Sequence, residues 1–213
     1  MFDLLALLTN KKYWIIHSCL IKCILRIKGI SVGKNFYIEG IPLLKIRGKP
    51  GNIKIGNNVS ILGDIDFRNR EEGKIFIEDN VTIERDCRFV SARNGTLSIG
   101  EGSVVTAFAI FNGGGDIRIG KQCIIGPRTS INANEHVFVK DKPIREQGFI
   151  HAPVIIEDDC WLATNIAVNK GVRIRKGSII ASNAVVTKDT EEYSINAGIP
   201  AKKIGMRKQS GTA

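Results

Sequence analysis

The feature that most constrains this sequence is an apolar residue that recurs every six positions. Between residues 156 and 186 the period runs without interruption, and a second lane of small or apolar residues lies four positions after the first. Neither the 3.6-residue period of a helix nor the two-residue period of a strand explains this spacing. The repeat therefore predicts a solenoid, in which each coil buries its apolar face against its neighbours. The first lane contains Ile156, Leu162, Val168, Ile174, Ile180 and Val186.

The same rhythm extends upstream in groups of three hexads, and each group predicts one triangular coil of an all-β solenoid. The residues in excess of three hexads always follow a third hexad, so every insertion is predicted at one corner of a three-sided prism. Phe67, Phe89 and Phe111 recur 22 residues apart and are expected to stack in successive coils. The seven groups begin at residues 32, 55, 77, 99, 119, 156 and 174.

The first 28 residues carry a different pattern, a broad apolar surface without Pro or Gly, which predicts an N-terminal helix. Five basic side chains against Asp3 give this segment a net charge of +4. Such a helix either packs on its own domain or a partner subunit, or makes peripheral contact with an anionic membrane. The chain is expected to divide into a helical segment (1–29), a solenoid (30–188) with a loop at 132–153, and a C-terminal cap with a basic tail (189–213). The helix and the cap are expected to cover the two ends of the coil stack.

The composition is that of an ordinary globular protein, with 24% charged and 43% hydrophobic residues in 213. The formal charge of +10 is not accompanied by a recognisable nucleic-acid-binding motif, so no nucleic-acid partner is expected. Five cysteines form no Cys-x-x-Cys pair, which argues against a zinc ribbon and favours a reducing cytoplasm. Cys123 and Cys160, in adjacent coils, and Cys19 and Cys23, one helical turn apart, are all expected to pack as small apolar side chains.

By far the longest insertion lies between Ile131 and Ile156 and predicts a long loop on a rigid scaffold, where function often lies. It contains two of the three histidines, His136 and His151. The third, His17, lies on the predicted helix. We expect His151 and His17 to be structural.

Hexads in groups of three, this late loop, and the segments 153–163 (Pro-Val-Ile-Ile-Glu-Asp-Asp-Cys-Trp-Leu-Ala) and 196–202 (Asn-Ala-Gly-Ile-Pro-Ala-Lys) resemble the hexapeptide-repeat acyltransferases. The similarity covers about residues 30–207, and the loop resembles lipopolysaccharide and capsule sugar O-acetyltransferases. It implies a left-handed parallel β-helix and a homotrimer with active sites at the subunit interfaces. The implied cofactor is acetyl-CoA as co-substrate, with no metal required.

The resemblance implies acetyl transfer to a sugar hydroxyl in the biosynthesis of surface polysaccharide, either O-antigen or capsule. The acceptor would be a sugar or glycan, and the enzyme would be cytoplasmic, either free or at the inner face of the membrane through residues 1–28. N-acetylation of a nucleotide-linked amino sugar is the nearest alternative, and a non-catalytic scaffold is a more remote one. A metal-dependent hydration enzyme of this fold needs three zinc-binding histidines, and the solenoid has only two.

The resemblance also assigns roles to residues. His136 matches the catalytic histidine and is the expected general base of a direct transfer, because an imidazole exchanges a proton near neutral pH. The tautomer of His136 is expected to be fixed by Asn134, by Glu135 or by a backbone carbonyl. Asn134 stands where the family often has a further histidine. The expected coenzyme-binding residues lie in the C-terminal coils and tail, and are Trp161, Thr164, Ser182, Thr187, Lys188, Gly198, Pro200, Lys202 and Lys203.

Overall fold

The computed structural model describes Thr9 and residues 12–208. In these residues the chain forms a three-sided β-solenoid of seven coils with parallel sheets, preceded by a helix and closed by a C-terminal hairpin. The solenoid prediction is confirmed, while the left-handed sense stays a prediction of the resemblance. Within the described ranges no helix is long and apolar enough to cross a bilayer. The helix α1 extends from Lys12 to Ile27, and the part of the predicted helix at residues 1–8, 10 and 11 lies outside the described residues.

Each coil contributes one strand to each of three sheets. Sheet 1 contains β1 (Ser31–Val32), β4 (Ile53–Ile55), β7 (Lys74–Ile77), β10 (Thr96–Ile99), β13 (Ile117–Ile119), β18 (Val154–Ile156) and β21 (Arg173–Ile174). Sheet 2 contains β2 (Tyr37–Ile38), β5 (Ser60–Leu62), β8 (Thr82–Glu84), β11 (Val104–Val105), β14 (Ile124–Ile125), β19 (Trp161–Leu162), β22 (Ile179–Ile180), β24 (Ser194–Ala197) and β25 (Lys202–Met206). Sheet 3 contains β3 (Pro42–Ile46), β6 (Ile65–Asn69), β9 (Cys87–Ser91), β12 (Ile110–Asn112), β15 (Ser130–Asn132), β20 (Ala167–Val168) and β23 (Val185–Val186).

The hexad lane places its residues opposite one another in successive coils. In sheet 1, Ile77 pairs with Ile99, Ile99 with Ile119, and Ile119 with Ile156. These four side chains are at most 3% exposed, so the lane forms the core. The insertions all lie between a sheet 3 strand and the next sheet 1 strand, as the spacing predicted. One of them contains a 3-10 turn at Pro50–Asn52.

Three phenylalanine rings fill the centre of the prism as predicted. The ring centroids of Phe67 and Phe89 lie 5.9 Å apart in an edge-on arrangement, and those of Phe89 and Phe111 lie 5.0 Å apart and nearly parallel. All three side chains are buried. Aromatic pairs in these arrangements add about 0.5–1.5 kcal/mol each to the stabilisation from burial.

Asparagines hold the corner between sheets 1 and 2. Asn35, Asn58 and Asn80 have positive φ angles of 51°, 54° and 60°, a conformation that Asn tolerates better than most residues. The amide of Asn35 donates to Asn58, and that of Asn58 donates to Asn80, each over 2.9 Å. The turn residues of the first three coils are thus hydrogen-bonded to one another in series.

A charged cluster lies on the outer face of sheet 3. The carboxylate of Asp66 accepts hydrogen bonds from the Nε of Arg68 over 2.9 Å and from the Nε of Arg88, one coil away, over 3.0 Å. Burial by itself raises the pKa of Asp66, but the bonds from both arginines outweigh it and leave the pKa below its ordinary value. The cluster therefore stabilises the stacking of two coils when Asp66 is ionised.

The helix α1 covers the first coil, as expected, and polar side chains bond it to the backbone of that coil. The Oγ of Ser18 accepts a hydrogen bond from the Ile38 N–H over 2.8 Å, and the Nε2 of His17 lies 2.9 Å from the Gly40 carbonyl oxygen. Arg26 donates to the Val32 carbonyl. These bonds satisfy backbone groups that no preceding coil can reach.

The C-terminal segment covers the opposite end. Strand β24 adds to sheet 2 beside β22 in parallel, and β25 returns antiparallel to it. Asp189 accepts a hydrogen bond from the Arg173 N–H over 2.8 Å, and Thr190 accepts one from the Arg175 N–H over 2.9 Å. The last coil therefore has partners for these exposed backbone donors.

The cysteines behave in two ways. Cys123 and Cys160 are buried, as predicted, and the Sγ of Cys123 lies 3.1 Å from the Glu157 carbonyl oxygen in the next coil. Burial raises the pKa of the Cys87 thiol to about 12. A buried thiol with a raised pKa, such as that of Cys87, is a poor nucleophile. Packing was the wrong expectation for Cys19 and Cys23, which are exposed on α1. The inward side of the helix is used by polar residues that bind the first coil, and the two thiols therefore face outward.

Candidate active site

The chain leaves the solenoid after β15, at the edge where sheet 3 meets sheet 1. The long loop begins with β16 (Asn134–His136), contains a 3-10 turn at Ile144–Glu146, and ends with β17 (Phe149–His151). These two strands pair in antiparallel fashion, with Asn134 opposite His151 and His136 opposite Phe149. Because side chains alternate along a strand, these four residues share one face of the hairpin.

The imidazole of His136 is exposed and lies against an aromatic ring. The centroids of the His136 and Phe149 rings are 4.1 Å apart, with an angle of 38° between the ring planes. Within the described residues neither ring nitrogen has a hydrogen-bond partner. The ring is thus positioned by apolar contact, while both nitrogens remain available for proton exchange.

Asn134 and Glu135 attach the hairpin to the coils. The amide of Asn134 donates to the Asn112 carbonyl over 3.3 Å, and Glu135 forms an ion pair of 2.7 Å with Lys170 in the next coil. Neither side chain is hydrogen-bonded to His136 in the described part of the chain. Their expected role in fixing the His136 tautomer therefore stays a prediction, and the contacts observed are those of an anchor.

A glycine run lies beneath the hairpin and was not singled out in the sequence. A Cβ added to Gly114 would lie 2.5 Å from the Nδ1 atom of His151, so only glycine lets the hairpin approach this closely. That Nδ1 is buried and has no hydrogen-bond partner. The run Gly-Gly-Gly at 113–115, at the same edge one coil earlier, is a sequence signal for this close approach. Phe149 and Lys170 carried no comparable signal, because their roles depend on pairing across the loop.

Several of the predicted coenzyme-binding residues line a second edge, where sheet 2 meets sheet 3. Thr164 and Ser182 occupy equivalent turns of coils six and seven, and the Thr164 carbonyl accepts a hydrogen bond from Asn183 over 2.9 Å. The turn holding Gly198 and Pro200 extends this line, because Val185 donates to the Gly198 carbonyl over 3.1 Å.

The Trp161 ring lies on the outer face of sheet 2 beside this edge and is 48% exposed. It is flanked in register by Ile124 and Ile179. Within the described chain the side chains of Trp161, Thr164 and Ser182 make no hydrogen bond. An exposed apolar strip with unengaged polar groups at its border fits a long, partly apolar ligand.

The remaining predicted residues are distributed differently. Thr187 and Lys188 are exposed on the same edge as the hairpin, at the turn equivalent to the one that holds Lys170. Lys203 is paired with Glu191. Lys188 and Lys202 have no ion-pair partner among the residues described, and no cluster of three or more metal-ligating side chains occurs there either. In a single chain, sheet 3 separates His136 from the edge that carries Thr164 and Ser182.

Comparisons with known proteins find acetyltransferases. A probable acetyltransferase of Mycobacterium tuberculosis is 30% identical over 165 residues, which are 76% of this chain and 53% of that protein. The 2,3,4,5-tetrahydropyridine-2,6-dicarboxylate N-acetyltransferase of Staphylococcus aureus is 47% identical over 53 residues, 25% of this chain and 22% of that enzyme. These relatives are acetyltransferases, and the chain is similar to the hexapeptide-repeat acyltransferase family. It spans about half the length of the first relative and about a fifth of the second.

Solved structures of the family show the same solenoid. A hexapeptide-repeat acetyltransferase of Vibrio cholerae, in complex with acetyl-CoA, matches with a TM-score of 0.50 and 31% identity over 53% of this chain and 61% of that chain. AntD, an N-acyltransferase of Bacillus cereus in complex with an amino-sugar nucleotide and coenzyme A, has a TM-score of 0.57 and 22% identity over 88% and 90% of the two chains. The second likeness concerns the fold alone. No family model matches the chain.

Proposed function

We propose that this chain is an acetyl-CoA-dependent acetyltransferase that acts on a sugar hydroxyl, as in the assembly of surface polysaccharide. The observation that carries the proposal is the exposed imidazole of His136, held against Phe149 on a hairpin that interrupts an otherwise regular solenoid. The similarity to known acetyltransferases supports acetyl transfer. The five free thiols support a reducing, cytoplasmic location.

In this reaction the imidazole of His136 acts as general base. When bound, acetyl-CoA supplies the acetyl group as a thioester. The ring nitrogen of His136 takes the proton of the acceptor hydroxyl as the hydroxyl oxygen bonds to the thioester carbonyl carbon. The carbon–sulfur bond breaks, and His136 returns the proton to the departing sulfur. Phe149 restricts the imidazole to one orientation, which lowers the entropy cost of the transfer.

We propose further that the site is completed by a second subunit. His136 lies at the edge between sheets 3 and 1, whereas Trp161, Thr164 and Ser182 lie at or beside the edge between sheets 2 and 3. A homotrimer of parallel solenoids would set the hairpin of one subunit against the coenzyme edge of its neighbour. Lys188 and Lys202, which have no ion pair in the described chain, would then be available to coenzyme phosphates.

An amine acceptor is the second candidate. It is favoured by the match to the tetrahydropyridine-dicarboxylate N-acetyltransferase, which by its name transfers acetyl to nitrogen rather than to a sugar hydroxyl. The same proton transfer by His136 would serve an amino group of a nucleotide-linked sugar. An acceptor screen with both classes, read out by thiol release and by the mass of the product, separates the two candidates.

The central test is the variant His136→Gln, which keeps a polar side chain of similar length but has no basic nitrogen. We expect coenzyme A release from acetyl-CoA in the presence of acceptor to fall by at least about a hundredfold, the usual contribution of a general base. His17→Gln on α1 is the matched control and is expected to keep full turnover. Full activity in His136→Gln, with an unchanged oligomer by light scattering, would show that the assignment is wrong.

A further inference from the structure

The helix α1 is packed with an unusual orientation of its side chains. Its inward surface includes Ser18 and His17, which are bonded to backbone groups of the first coil, and the exposed Arg26 at the end of the helix also donates to that coil. Trp14 and Leu25 are buried beside them. Because the first coil presents backbone groups that need partners, the polar side chains face the protein, and much of the apolar surface of the helix is left outside.

The outward face of α1 is apolar along the full length of the helix. Ile16 is 72% exposed, Leu20 60% and Ile27 86%. Together with the exposed Cys23, these residues follow one another at intervals of four, three and four, which places them on one side of the helix. We call this surface the outer helix face, formed by Ile15, Ile16, Leu20, Cys23, Ile24 and Ile27.

Cations surround the outer helix face. No Asp or Glu occurs between residues 12 and 34, whereas five basic residues do. Lys12, Arg26, Lys28 and Lys34 are exposed, and Lys22 is partly exposed. An apolar stripe whose charged neighbours between residues 12 and 34 are all cations is complementary to a surface that is apolar inside and anionic at its boundary, as a bilayer with acidic lipids is.

We propose that the outer helix face docks the protein on an anionic membrane surface. The apolar side chains would enter the boundary between headgroups and acyl chains, with the lysines against the lipid phosphates. The bonds of Ser18, His17 and Arg26 to the first coil keep the helix attached to the solenoid, so docking requires no unfolding of the cap. This inference does not depend on the proposed acetyl transfer.

The test is co-sedimentation of the full chain with vesicles of phosphatidylcholine alone or of phosphatidylcholine with phosphatidylglycerol. We expect binding to the anionic vesicles only. The triple variant Ile16→Gln, Leu20→Gln, Ile27→Gln retains good helix formers at exposed positions and is expected to lower the partition coefficient by at least about tenfold. Ile204→Gln is the control, because Ile204 is 67% exposed on the C-terminal hairpin at the other end of the solenoid.

A second variant, Lys12→Gln, Lys22→Gln, Lys28→Gln, tests the charge contribution without touching the apolar stripe. Each removed lysine near the surface is expected to lower binding to anionic vesicles by about fivefold. Wild-type protein that binds neither vesicle, or apolar and charge variants that bind as well as the wild type, would overturn the proposal. A further outcome would also overturn it: the apolar variant changes its oligomeric state by light scattering while its vesicle binding is unchanged. The outer helix face would then be a contact between subunits.

Discussion

Replacing Phe89 by alanine tests whether the stacked rings hold the coils together. Phe89 is the middle ring of the stack, with centroids 5.9 Å from Phe67 on one side and 5.0 Å from Phe111 on the other. It is completely buried. Because intact coils lie above and below it, the surrounding side chains have little freedom to close the space that the ring leaves.

The expected loss of stability follows from these contacts. Removing a buried Phe side chain costs about 3–5 kcal/mol in unfolding free energy, and the cost is higher where the cavity does not collapse. Phe89 also loses two aromatic contacts. We therefore expect a loss of about 4–5 kcal/mol. Phe76→Ala is the matched control in the same coil, because Phe76 faces outward and is partly exposed. The Nζ of Lys54 lies 5.5 Å from the centroid of its ring. The expected loss of unfolding free energy for this variant is about 1 kcal/mol.

The measurement is urea unfolding followed by circular dichroism, at one fixed protein concentration because the apparent stability of an oligomer depends on concentration. The midpoint should fall much further for Phe89→Ala than for Phe76→Ala, at similar slopes. Equal losses in the two variants, or a loss below about 2 kcal/mol for Phe89→Ala, would refute the argument that the rings sustain the stack.

Two further predictions concern charge and close packing. The lowered pKa of Asp66 means that its ion pairs stabilise the fold above the unfolded pKa of about 3.9, and this contribution is lost as the pH falls through the lower folded pKa. The stability difference between wild type and Asp66→Asn, measured by urea unfolding across pH, should therefore vanish in acid; a constant difference would contradict the assignment. Gly126→Ala should lower the thermal midpoint of unfolding by several degrees, because the added Cβ would collide with the Ala163 carbonyl. Gly51→Ala is the control, because the Cβ has room there and the midpoint should not change. Equal midpoints in the two variants would rule out this explanation.

The solenoid was predictable because its constraint is repeated in every coil. A side chain such as Ile99 must meet its equivalents above and below, so a six-residue period fixes both the burial and the pairing register. The corner that receives insertions followed from the same spacing. The stacking of the phenylalanines was the direct consequence of their separation by one coil.

The orientation of α1 and the contacts of the hairpin were not predictable in this way. Apolar periodicity suggested a helix but not that Ser18 and His17 would face inward, since that depends on the backbone groups of the first coil. The contact of His136 with Phe149 depends on the antiparallel register of a loop that has no repeat. Such pairings are decided by tertiary geometry, for which one sequence without periodicity gives no rule.

The pairing of β13 with β18 has a consequence for how this protein varies. These strands align residue for residue, Ile117 with Val154 and Ile119 with Ile156, although the entire loop intervenes between their coils. The pairing of these strands therefore does not depend on the length of the loop that is inserted between them. Grafting a foreign loop there should change the molecules that are accepted and leave the scaffold intact.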